Sequence, residues 1–469
     1  MDLAVGSSTH KKHKAKDDII SHLPESLITH ILSFLPTKDA VRTCVLSKRW
    51  IEKWTLITKV ELDDSVFYSS KKKTSERKTL QQQCFINFVN RFLLLTGTHT
   101  VESFSLAIAN NYDLSVLNTL ITCILKKRVK KLSISSSEEL PFSALTTHYL
   151  FNHATCLEEL VLTRTSSYSA IEIPLYKISG VFLFTRLKQL DLCGVKFTFD
   201  KSQHIIFPVL NKFETYNCSW LSAHDVTFTF ELKAPLLETV YIGQYWVNRE
   251  SRRCKIKFSD SHLKEFTYSS NGMSQAIVLS DPSSACNATL SIILYHVNSD
   301  NVSSDSVQET ESCVCLLLKQ FSQVKRIKFE FQTQPNVAIL SKFAMLSHLE
   351  LRDVSIEVLL GLIQNSPALN TLFFKRILEF NHELLNSAAV PNCLTSTLKV
   401  VKFGDVQGDE HELLLAKYLM ENGTVLERMS FSFDEYLGEP KVIEEFKEKL
   451  YSFKKGISFA ILEFSNDYY

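Results

Sequence analysis

The clearest pattern in this chain of 469 residues is an apolar motif that recurs from Val101 onward. Each copy has an apolar residue, two variable residues, a second apolar residue, one variable residue and a third apolar residue. The copies begin at Val101, Val129, Leu157, Leu187, Leu210, Leu237, Leu263, Val324, Leu346, Leu369, Leu398 and Leu426. Apart from one long gap between Leu263 and Val324, successive copies begin about 20–30 residues apart. This period predicts a solenoid in which each unit gives one short strand and a return segment, often helical.

The long gap between Leu263 and Val324 predicts one irregular repeat near Leu290. Residues 280–287 and 298–312 in this gap are rich in Ser, Asp and Asn. Segments of that composition do not join a core, so we expect mobile loops there. Residues 313–321 have helical spacing and predict a helix that restarts the regular stack.

Residues 18–54 have helical spacing instead of the repeat, with one apolar stripe. The stripe consists of Leu27, Ile28, Ile31, Leu32 and Leu35. Pro24 suits the first turn of this helix, where its missing N–H needs no partner, and Pro36 ends the helix.

Two further short helices are predicted after this one. Thr37 offers an N-cap oxygen to a helix over residues 38–45, and Ser47 can cap a third helix that carries Trp50 and Trp54. Three short helices cannot bury all their apolar side chains among themselves, so we expect part of their surface to meet a partner. The alternative is a helical subdomain that packs against the rest of the chain.

Residues 61–100 connect the helical region to the repeats. A strand is predicted at residues 60–62, a charged loop at residues 69–79, and a helix at residues 83–95. At the start of the chain, the polar residues 1–16 end in a basic run and predict a disordered tail, for which a weak nuclear-import signal is the functional alternative.

Composition and charge exclude several classes of function. Lys and Arg total 52 and Asp and Glu total 51, so the chain lacks the overall positive charge expected of a protein that binds nucleic acid or a membrane surface. The eleven cysteines include no CxxC pair, and we expect reduced, mostly buried thiols in a protein of the nucleus, the cytoplasm or both. The sequence contains no run of about 18 apolar residues, which a membrane-spanning helix would require.

Catalytic motifs are absent from the sequence. It contains no P-loop, no dinucleotide fingerprint, no HExxH and no zinc-type Cys/His spacing. The 12 glycines do not cluster as a phosphate-binding loop requires. We therefore predict that the chain is not an enzyme and uses no cofactor or metal.

Within residues 17–60, the order of particular residues resembles the F-box family. The matching features are Leu23-Pro24, Ile31-Leu32-Ser33-Phe34-Leu35-Pro36, Val45-Leu46-Ser47 and Lys48-Arg49-Trp50, followed by Trp54. Lys53 stands where plant F-boxes of this type usually have leucine. The resemblance implies that this region binds a Skp-family adaptor, which joins it to a cullin.

Residues 389–440 resemble a second module of plant proteins, the FBD. The matching pattern runs from Val390-Pro391-Asn392-Cys393-Leu394 through Gly408-Asp409-Glu410 to Leu426-Glu427-Arg428-Met429. In physical terms it is two leucine-rich strands with a helix over residues 412–421 between them, ended by a left-handed cap at Asn422-Gly423. An open stack needs a terminal element with a polar outer face, so we interpret the module first as a cap and second as a binding module, with residues 441–469 as a C-terminal cap.

Two interaction surfaces follow from these resemblances. The implied adaptor contacts are Leu23, Pro24, Ile31, Leu32, Leu35, Val45, Leu46, Arg49 and Trp50. In each repeat, the residue between the second and third apolar positions should point out from the sheet. These residues are Ser105, Ser133, Val161, Asp191, Tyr241, Thr267, Lys328, Glu350, Phe373, Lys402 and Ser430. We predict substrate contacts at Tyr241, Glu350, Phe373 and Lys402, with a solvated strand position as the alternative for any single one.

The predicted fold class is therefore α/β: an N-terminal three-helix F-box, a leucine-rich-repeat solenoid with an open curved sheet over residues 101–388, and FBD-type C-terminal repeats. The function that the resemblance implies is substrate recognition for an SCF-type cullin-RING E3 ubiquitin ligase. Its expected partners are a Skp-family adaptor, a cullin through that adaptor, and a protein substrate, without nucleic acid or membrane. The alternative is a non-ligase leucine-rich-repeat scaffold with a degenerate F-box, for which Lys53 is the only hint.

Overall fold

The computed structural model describes residues 22–67, 75–96, 101–166, 170–177, 182–222, 227–245, 254–271, 276–295, 304–331, 341–377, 380–387, 389–433, 440–454 and 461–465. The predicted tail at residues 1–16 lies outside the described residues. So do residues 69–74 of the predicted charged loop and residues 298–303 of the second predicted mobile loop.

Short strands recur along the whole described chain. They are β1 (Lys59–Asp63), β2 (Ser103–Ile108), β3 (Lys131–Ser136), β4 (Leu140–Pro141), β5 (Glu159–Arg164), β6 (Ile171–Pro174), β7 (Phe182–Leu183), β8 (Gln189–Cys193), β9 (Val195–Phe199), β10 (Gln203–Ile206), β11 (Lys212–Tyr216), β12 (Ser219–Ser222), β13 (Phe228–Lys233), β14 (Thr239–Gln244), β15 (Cys254–Ser259), β16 (Glu265–Ser270), β17 (Ala276–Leu279), β18 (Thr289–Leu294), β19 (Arg326–Phe331), β20 (His348–Val354), β21 (Thr371–Ile377), β22 (Val400–Val406), β23 (Arg428–Phe433) and β24 (Ile461–Ser465).

The helices lie mainly at the two ends of the chain. They are α1 (Glu25–Ser33), α2 (Thr37–Arg42), α3 (Ser75–Leu95), α4 (Leu114–Lys126), α5 (Ala144–Asn152), α6 (Ser304–Gln320), α7 (Ile356–Gln364), α8 (His382–Ser387), α9 (Asn392–Ser396), α10 (Glu410–Asn422) and α11 (Pro440–Lys454).

Fifteen of the strands form one long parallel sheet. Its order is β1-β2-β3-β5-β8-β11-β14-β16-β18-β19-β20-β21-β22-β23-β24. The second and third positions of every predicted apolar motif lie on one of these strands, and the irregular copy near Leu290 forms β18. The predicted solenoid is therefore confirmed, and β1 and β24 extend its sheet beyond the repeats at either end.

Alternation of side chains gives this sheet one buried and one open face. In β2, Phe104, Leu106 and Ile108 are buried while the residues between them stay partly exposed. Because each unit pairs in register with the next, the buried positions stack into one continuous core along the solenoid. The open face carries the intervening residues, which are the ones available to a ligand.

The return segments in the middle of the stack are strands rather than the often helical segments predicted. Two smaller parallel sheets form there, in the orders β12-β9-β6-β4 and β17-β15-β13-β10-β7. Their sequences explain this, because segments such as β9 and β13 alternate apolar and polar residues and are rich in aromatic and β-branched types. Their inward rings build an aromatic core, in which Trp220 stacks on Phe197 at 4.8 Å and on Phe230 at 4.6 Å between ring centroids.

At the N-terminus the first two predicted helices are present, and the third is present as two short 3-10 helices instead of one helix. Residues after Ser47 form two short 3-10 helices, Lys48–Trp50 and Lys53–Leu56, and Ser47 makes no capping hydrogen bond. Thr37 does not cap α2 either, because it is the first residue of that helix. Its hydroxyl instead accepts a hydrogen bond of 2.8 Å from the N–H of Glu61 on β1.

Two of the predicted loops are partly wrong. Helix α3 begins at Ser75, inside the predicted charged loop, and α6 begins at Ser304, inside the predicted loop at residues 298–312. In both cases the helix continues N-terminally beyond its apolar stripe into polar residues. An apolar stripe marks the buried face of a helix and therefore does not locate its solvent-exposed first turns.

The FBD region contains a well-capped helix. Asp409 accepts the N–H of Glu412, while the Glu412 carboxylate accepts the N–H groups of Gln407, Gly408 and Asp409. The left-handed cap predicted at the other end is wrong, because Gly423 has φ −86°. Glycine is needed there for space, since a Cβ would lie 2.6 Å from the carbonyl oxygen of Leu419.

Candidate functional site

The N-terminal helices expose a patch of apolar side chains. The exposed fractions are 41% for Ile31, 54% for Leu46 and 84% for Val45, and Pro24 is exposed beside them in the chain. The half-buried members of the predicted adaptor-binding set are Leu23, Leu35 and Arg49. An exposed apolar patch on a small helical unit is the kind of surface that a partner protein covers.

Leu32 and Trp50 have a different role from the one predicted. Both are buried, with 0% and 2% exposure, so they pack inside the molecule and present no contact surface to an adaptor. Helix α1 is apolar on two sides: Leu32 lies on its inner side, whereas Ile31 lies on its outer side. Helical spacing alone does not show which of two apolar sides faces inward.

Three further exposed residues extend the patch. Phe34 is 74% exposed, Ile51 49% and Leu27 46%. Leu27 belongs to the predicted apolar stripe and Phe34 to the matching run before Pro36, but neither is among the predicted contacts. Their signal in the sequence is an excess of apolar residues over the space available inside three short helices.

Lys53, the departure from the usual F-box pattern, forms an ion pair with Glu25 at the start of α1. Its hydrogen bond and positive charge lower the pKa of the Glu25 carboxyl. The residue therefore links the last helical segment of the unit to the first.

Hydrogen bonds of the residues just after β1 join this helical unit to the solenoid. The carboxylate of Asp64, which is fully buried, accepts the N–H groups of Ala109 at 2.9 Å and Asn110 at 3.0 Å, at the end of β2. Its Oδ2 also accepts a hydrogen bond of 3.1 Å from the side-chain amide of Asn110. On the other side, Lys38 of α2 donates to the Val66 carbonyl at 2.8 Å. The two units therefore share a hydrogen-bonded joint.

On the open face of the sheet, three of the predicted substrate contacts lie side by side. Glu350, Phe373 and Lys402 occupy directly opposite positions on β20, β21 and β22. Tyr241 lies in the same row on β14, four strands from Glu350, which corresponds to about 19 Å at the usual strand spacing. The structure thus groups three of the four residues and separates the fourth.

The row also contains residues that the sequence pattern missed. Glu61, Glu214, Ser291 and Glu463 stand at the equivalent positions of β1, β11, β18 and β24. For Glu214 the available signal was Phe213, which follows Leu210 at the repeat spacing. Thr215 occupies the third apolar position there, and this obscured the motif.

Ion pairs dominate the C-terminal part of the open face. Lys328 pairs with Glu350 at 3.1 Å, and Lys375 pairs with Asp405 at 3.3 Å. Phe373 lies beside Lys375, whose Nζ is 5.9 Å from the ring centroid. Acidic and basic side chains on this part of the face therefore largely neutralise each other.

Tyrosines dominate the middle of the open face. The rings of Tyr216 and Tyr241 stack with centroids 4.7 Å apart, and the Tyr241 hydroxyl is 3.1 Å from that of Tyr245. Burial and the hydrogen bond with Tyr245 raise the pKa of Tyr241 above its usual value. The Tyr241 hydroxyl stays protonated at neutral pH and acts as a hydrogen-bonding group beside flat apolar rings.

The described residues contain no group of three or more His, Cys, Asp or Glu side chains placed to hold a metal ion. No helix among them is long and apolar enough to cross a membrane. A cavity behind the middle of the sheet is lined only by apolar residues, such as Leu150, Phe184 and Trp220, and offers no polar group to orient a ligand.

Comparison with known proteins identifies two modules and the relatives of the whole chain. Residues 20–57 match the F-box domain, and residues 386–431 match the FBD. The F-box/FBD/LRR-repeat protein At3g14710 of Arabidopsis thaliana is 25% identical over 96% of this chain and 94% of its own length. The F-box/FBD/LRR-repeat protein At5g53840 of the same plant is 25% identical over 93% of each chain. The F-box/LRR-repeat protein At4g14103 is 36% identical over 28% of this chain and 34% of its own length.

These matches agree with the two structural units, since the F-box match covers the exposed apolar patch and the FBD match covers α9, α10 and the strands beside them. The chain therefore carries an F-box domain and an FBD, and along most of its length it is similar to F-box/FBD/LRR-repeat proteins of Arabidopsis thaliana.

Proposed function

We propose that this protein is the substrate-recognition subunit of an SCF-type cullin-RING E3 ubiquitin ligase. In this role the F-box binds a Skp-family adaptor, which links the chain to a cullin, and the open face of the repeats binds the target protein. The chain itself acts as a substrate receptor and not as an enzyme. It holds substrate lysines near a ubiquitin thioester that another subunit carries.

The exposed apolar patch on the F-box is the observation that carries this proposal. Val45, Leu46, Ile31 and Phe34 remain accessible while neighbouring side chains such as Trp50 are buried. Large apolar side chains in such a patch supply most of the binding energy when a partner covers them. Burying Val45 and Leu46 together would contribute about 2–5 kcal/mol.

A pull-down against a panel of purified Skp-family adaptors tests the proposal. The double variant Val45→Glu/Leu46→Glu should lose adaptor binding, because it places two charges in the interface while removing no buried side chain. Val66→Glu is a matched control, since Val66 is 54% exposed but lies outside the F-box match. Thermal unfolding of each preparation shows whether it is folded.

Failure of the folded wild-type protein to bind any adaptor would refute the proposal. That result would favour the alternative function, a leucine-rich-repeat scaffold whose F-box no longer docks. Lys53 is the sequence feature behind this alternative, and its ion pair with Glu25 gives it a position within the F-box.

We also propose that the protein works in the nucleus, the cytoplasm or both. The basic run of residues 11–16 supports entry of the protein into the nucleus. Microscopy of a fluorescent fusion in plant cells tests this location, with a comparison fusion in which Lys11, Lys12, Lys14 and Lys16 are changed to alanine. Absence of both fusion proteins from the nucleus and from the cytoplasm would contradict the proposed location.

A further inference from the structure

The open face has a distinct site where acidic residues meet stacked tyrosines. Asp191, Glu214 and Tyr241 occupy directly opposite positions on β8, β11 and β14. Tyr216 lies two residues beyond Glu214 on the same face and stacks on Tyr241. We name these four residues the acidic-aromatic patch.

Glycine makes room for the two rings of this patch. Gly243 lies opposite Tyr216 in the sheet. A Cβ at Gly243 would come within 2.8 Å of Cε1 of Tyr241 and 3.3 Å of Cδ1 of Tyr216. The rings therefore cover the backbone of β14. Tyr245 lies next to the rings. Its N–H donates to Asn217 Oδ1 at 2.7 Å, and its hydroxyl is hydrogen-bonded to that of Tyr241.

The charge of the patch is not neutralised within the described residues. Glu214 pairs with Lys212 at 3.0 Å, but no hydrogen bond or ion pair from a described residue reaches the carboxylate of Asp191. Partial burial, together with the negative charge of Glu214, raises the pKa of Asp191, while Lys212 opposes this shift. One half-buried carboxylate thus faces solvent without a direct partner.

A buried hydroxyl lies beside the acidic-aromatic patch. Ser269 stands beside Gly243 in the sheet and is 1% exposed, and its hydroxyl makes no hydrogen bond of normal geometry. It lies close enough to Tyr241 to lower the pKa of that phenol. This hydroxyl is covered, so it can interact with the Tyr241 phenol but is not itself a contact for a ligand.

The C-terminal part of the open face differs in that its carboxylates are paired. There the carboxylates of Glu350, Asp353 and Asp405 are each paired with a lysine or arginine. An incoming cation would therefore gain more at the patch than at the C-terminal part, because it would neutralise a carboxylate with which no described residue pairs.

We infer that the acidic-aromatic patch binds an arginine side chain in an extended segment of the target protein. This inference rests on the proposed function, because it names the class of target. A guanidinium is planar and cationic, so it stacks on a tyrosine face and donates charge-assisted hydrogen bonds to Asp191 at the same time. The five strands from β8 to β18 span about 19 Å, the length of about six extended residues.

A positional-scanning peptide library tests the inference. Fluorescein-labelled dodecapeptides with one fixed position, occupied by Arg, Lys, Gln or Glu, are titrated with the full-length protein and followed by fluorescence polarisation. We expect the arginine pools to bind at least about tenfold more tightly than the glutamine pools, with lysine weaker than arginine. Asp191→Asn and Gly243→Ala should each remove most of that preference, the first by removing charge and the second by displacing the rings.

Glu463→Gln is the matched control, since Glu463 lies in the same row but already pairs with Arg428 at 3.3 Å. It should leave the arginine preference unchanged. An equal loss in Glu463→Gln and Asp191→Asn would overturn the inference, as would equal binding of arginine and lysine pools, or no binding of any pool. Adaptor binding is measured on the same preparations, so that a failed proposed function, in which adaptors do not bind, remains distinguishable from a failed patch.

Discussion

Asp64 provides a sharp test of how the F-box is held on the solenoid. We expect Asp64→Ala to destabilise the joint, because this fully buried carboxylate accepts three hydrogen bonds from Ala109 and Asn110. A hydrogen bond to a charged group contributes about 1.5–3 kcal/mol, and the donors left behind are only partly able to reach water. The free energy of unfolding should therefore fall by about 3–5 kcal/mol.

Urea unfolding and amide hydrogen exchange together measure this effect. Exchange should increase most on β1 and at the end of β2, which the carboxylate joins, and should change little at the C-terminal repeats. Asp63→Ala is the control, since Asp63 is exposed and accepts one hydrogen bond, from the Ser65 N–H at 2.8 Å. It should cost less than about 1 kcal/mol.

Equal small effects of Asp64→Ala and Asp63→Ala would refute a stabilising role of the buried carboxylate. Such a result would mean that apolar packing around the joint, and not the buried carboxylate, sets the position of the F-box. Asp64→Asn refines the test, because it keeps one acceptor oxygen but turns an amide N–H toward existing donors. Its effect should lie between those of the two alanine variants.

Three further predictions concern the rest of the solenoid. Burial and the charge of Asp409 raise the pKa of Glu412 to about 7, above its unfolded value, so the stability that this group contributes at low pH is lost as pH rises through 7. The melting temperature of the wild type should therefore fall relative to that of Glu412→Gln between pH 5.5 and 8. A constant difference between the two melting temperatures would contradict this prediction. Trp220→Ala should lower the free energy of unfolding by about 3–5 kcal/mol because it empties the aromatic core, and Trp220→Phe should cost less, as denaturant titration would show. Gly423→Ala should destabilise the FBD helix by about 1–3 kcal/mol, since the new Cβ would lie against the Leu419 carbonyl; an unchanged melting temperature would show that the turn relaxes.

The sheet was predictable from sequence because its signal is local. The second and third apolar positions of each motif point into the core, and the chain returns to the next strand after about 20–30 residues. The return segments were harder to predict, because β9 and β13 follow the strand period only over short stretches between turns. Helix starts such as Ser75 and Ser304 were missed because polar first turns leave no mark in an apolar pattern.

The candidate sites were predictable only as sets of residues. On α1 the spacing marks both Ile31 and Leu32 as apolar, and the sequence does not show that one faces solvent and the other the core. On the sheet, the motif places Asp191 and Tyr241 in one row, but it misses Glu214 between them. The acidic-aromatic patch therefore became visible only when strands far apart in sequence were placed in register.

The joint and the register together define where a bound target would lie. The sheet begins at β1, which Thr37 ties to the F-box, and Asp64, just after β1, ties this segment to the end of β2. From β1 to β14 there are six strand spacings, or about 29 Å. Because parallel strands pair in register across this distance, a segment held at Tyr241 would keep a nearly constant distance from the exposed apolar patch on the F-box. On the proposed function, this constancy matters more than affinity, because a lysine must repeatedly come close to the ubiquitin thioester before the target dissociates. A loosened joint, as in Asp64→Ala, would therefore reduce ubiquitin transfer while leaving both binding steps intact.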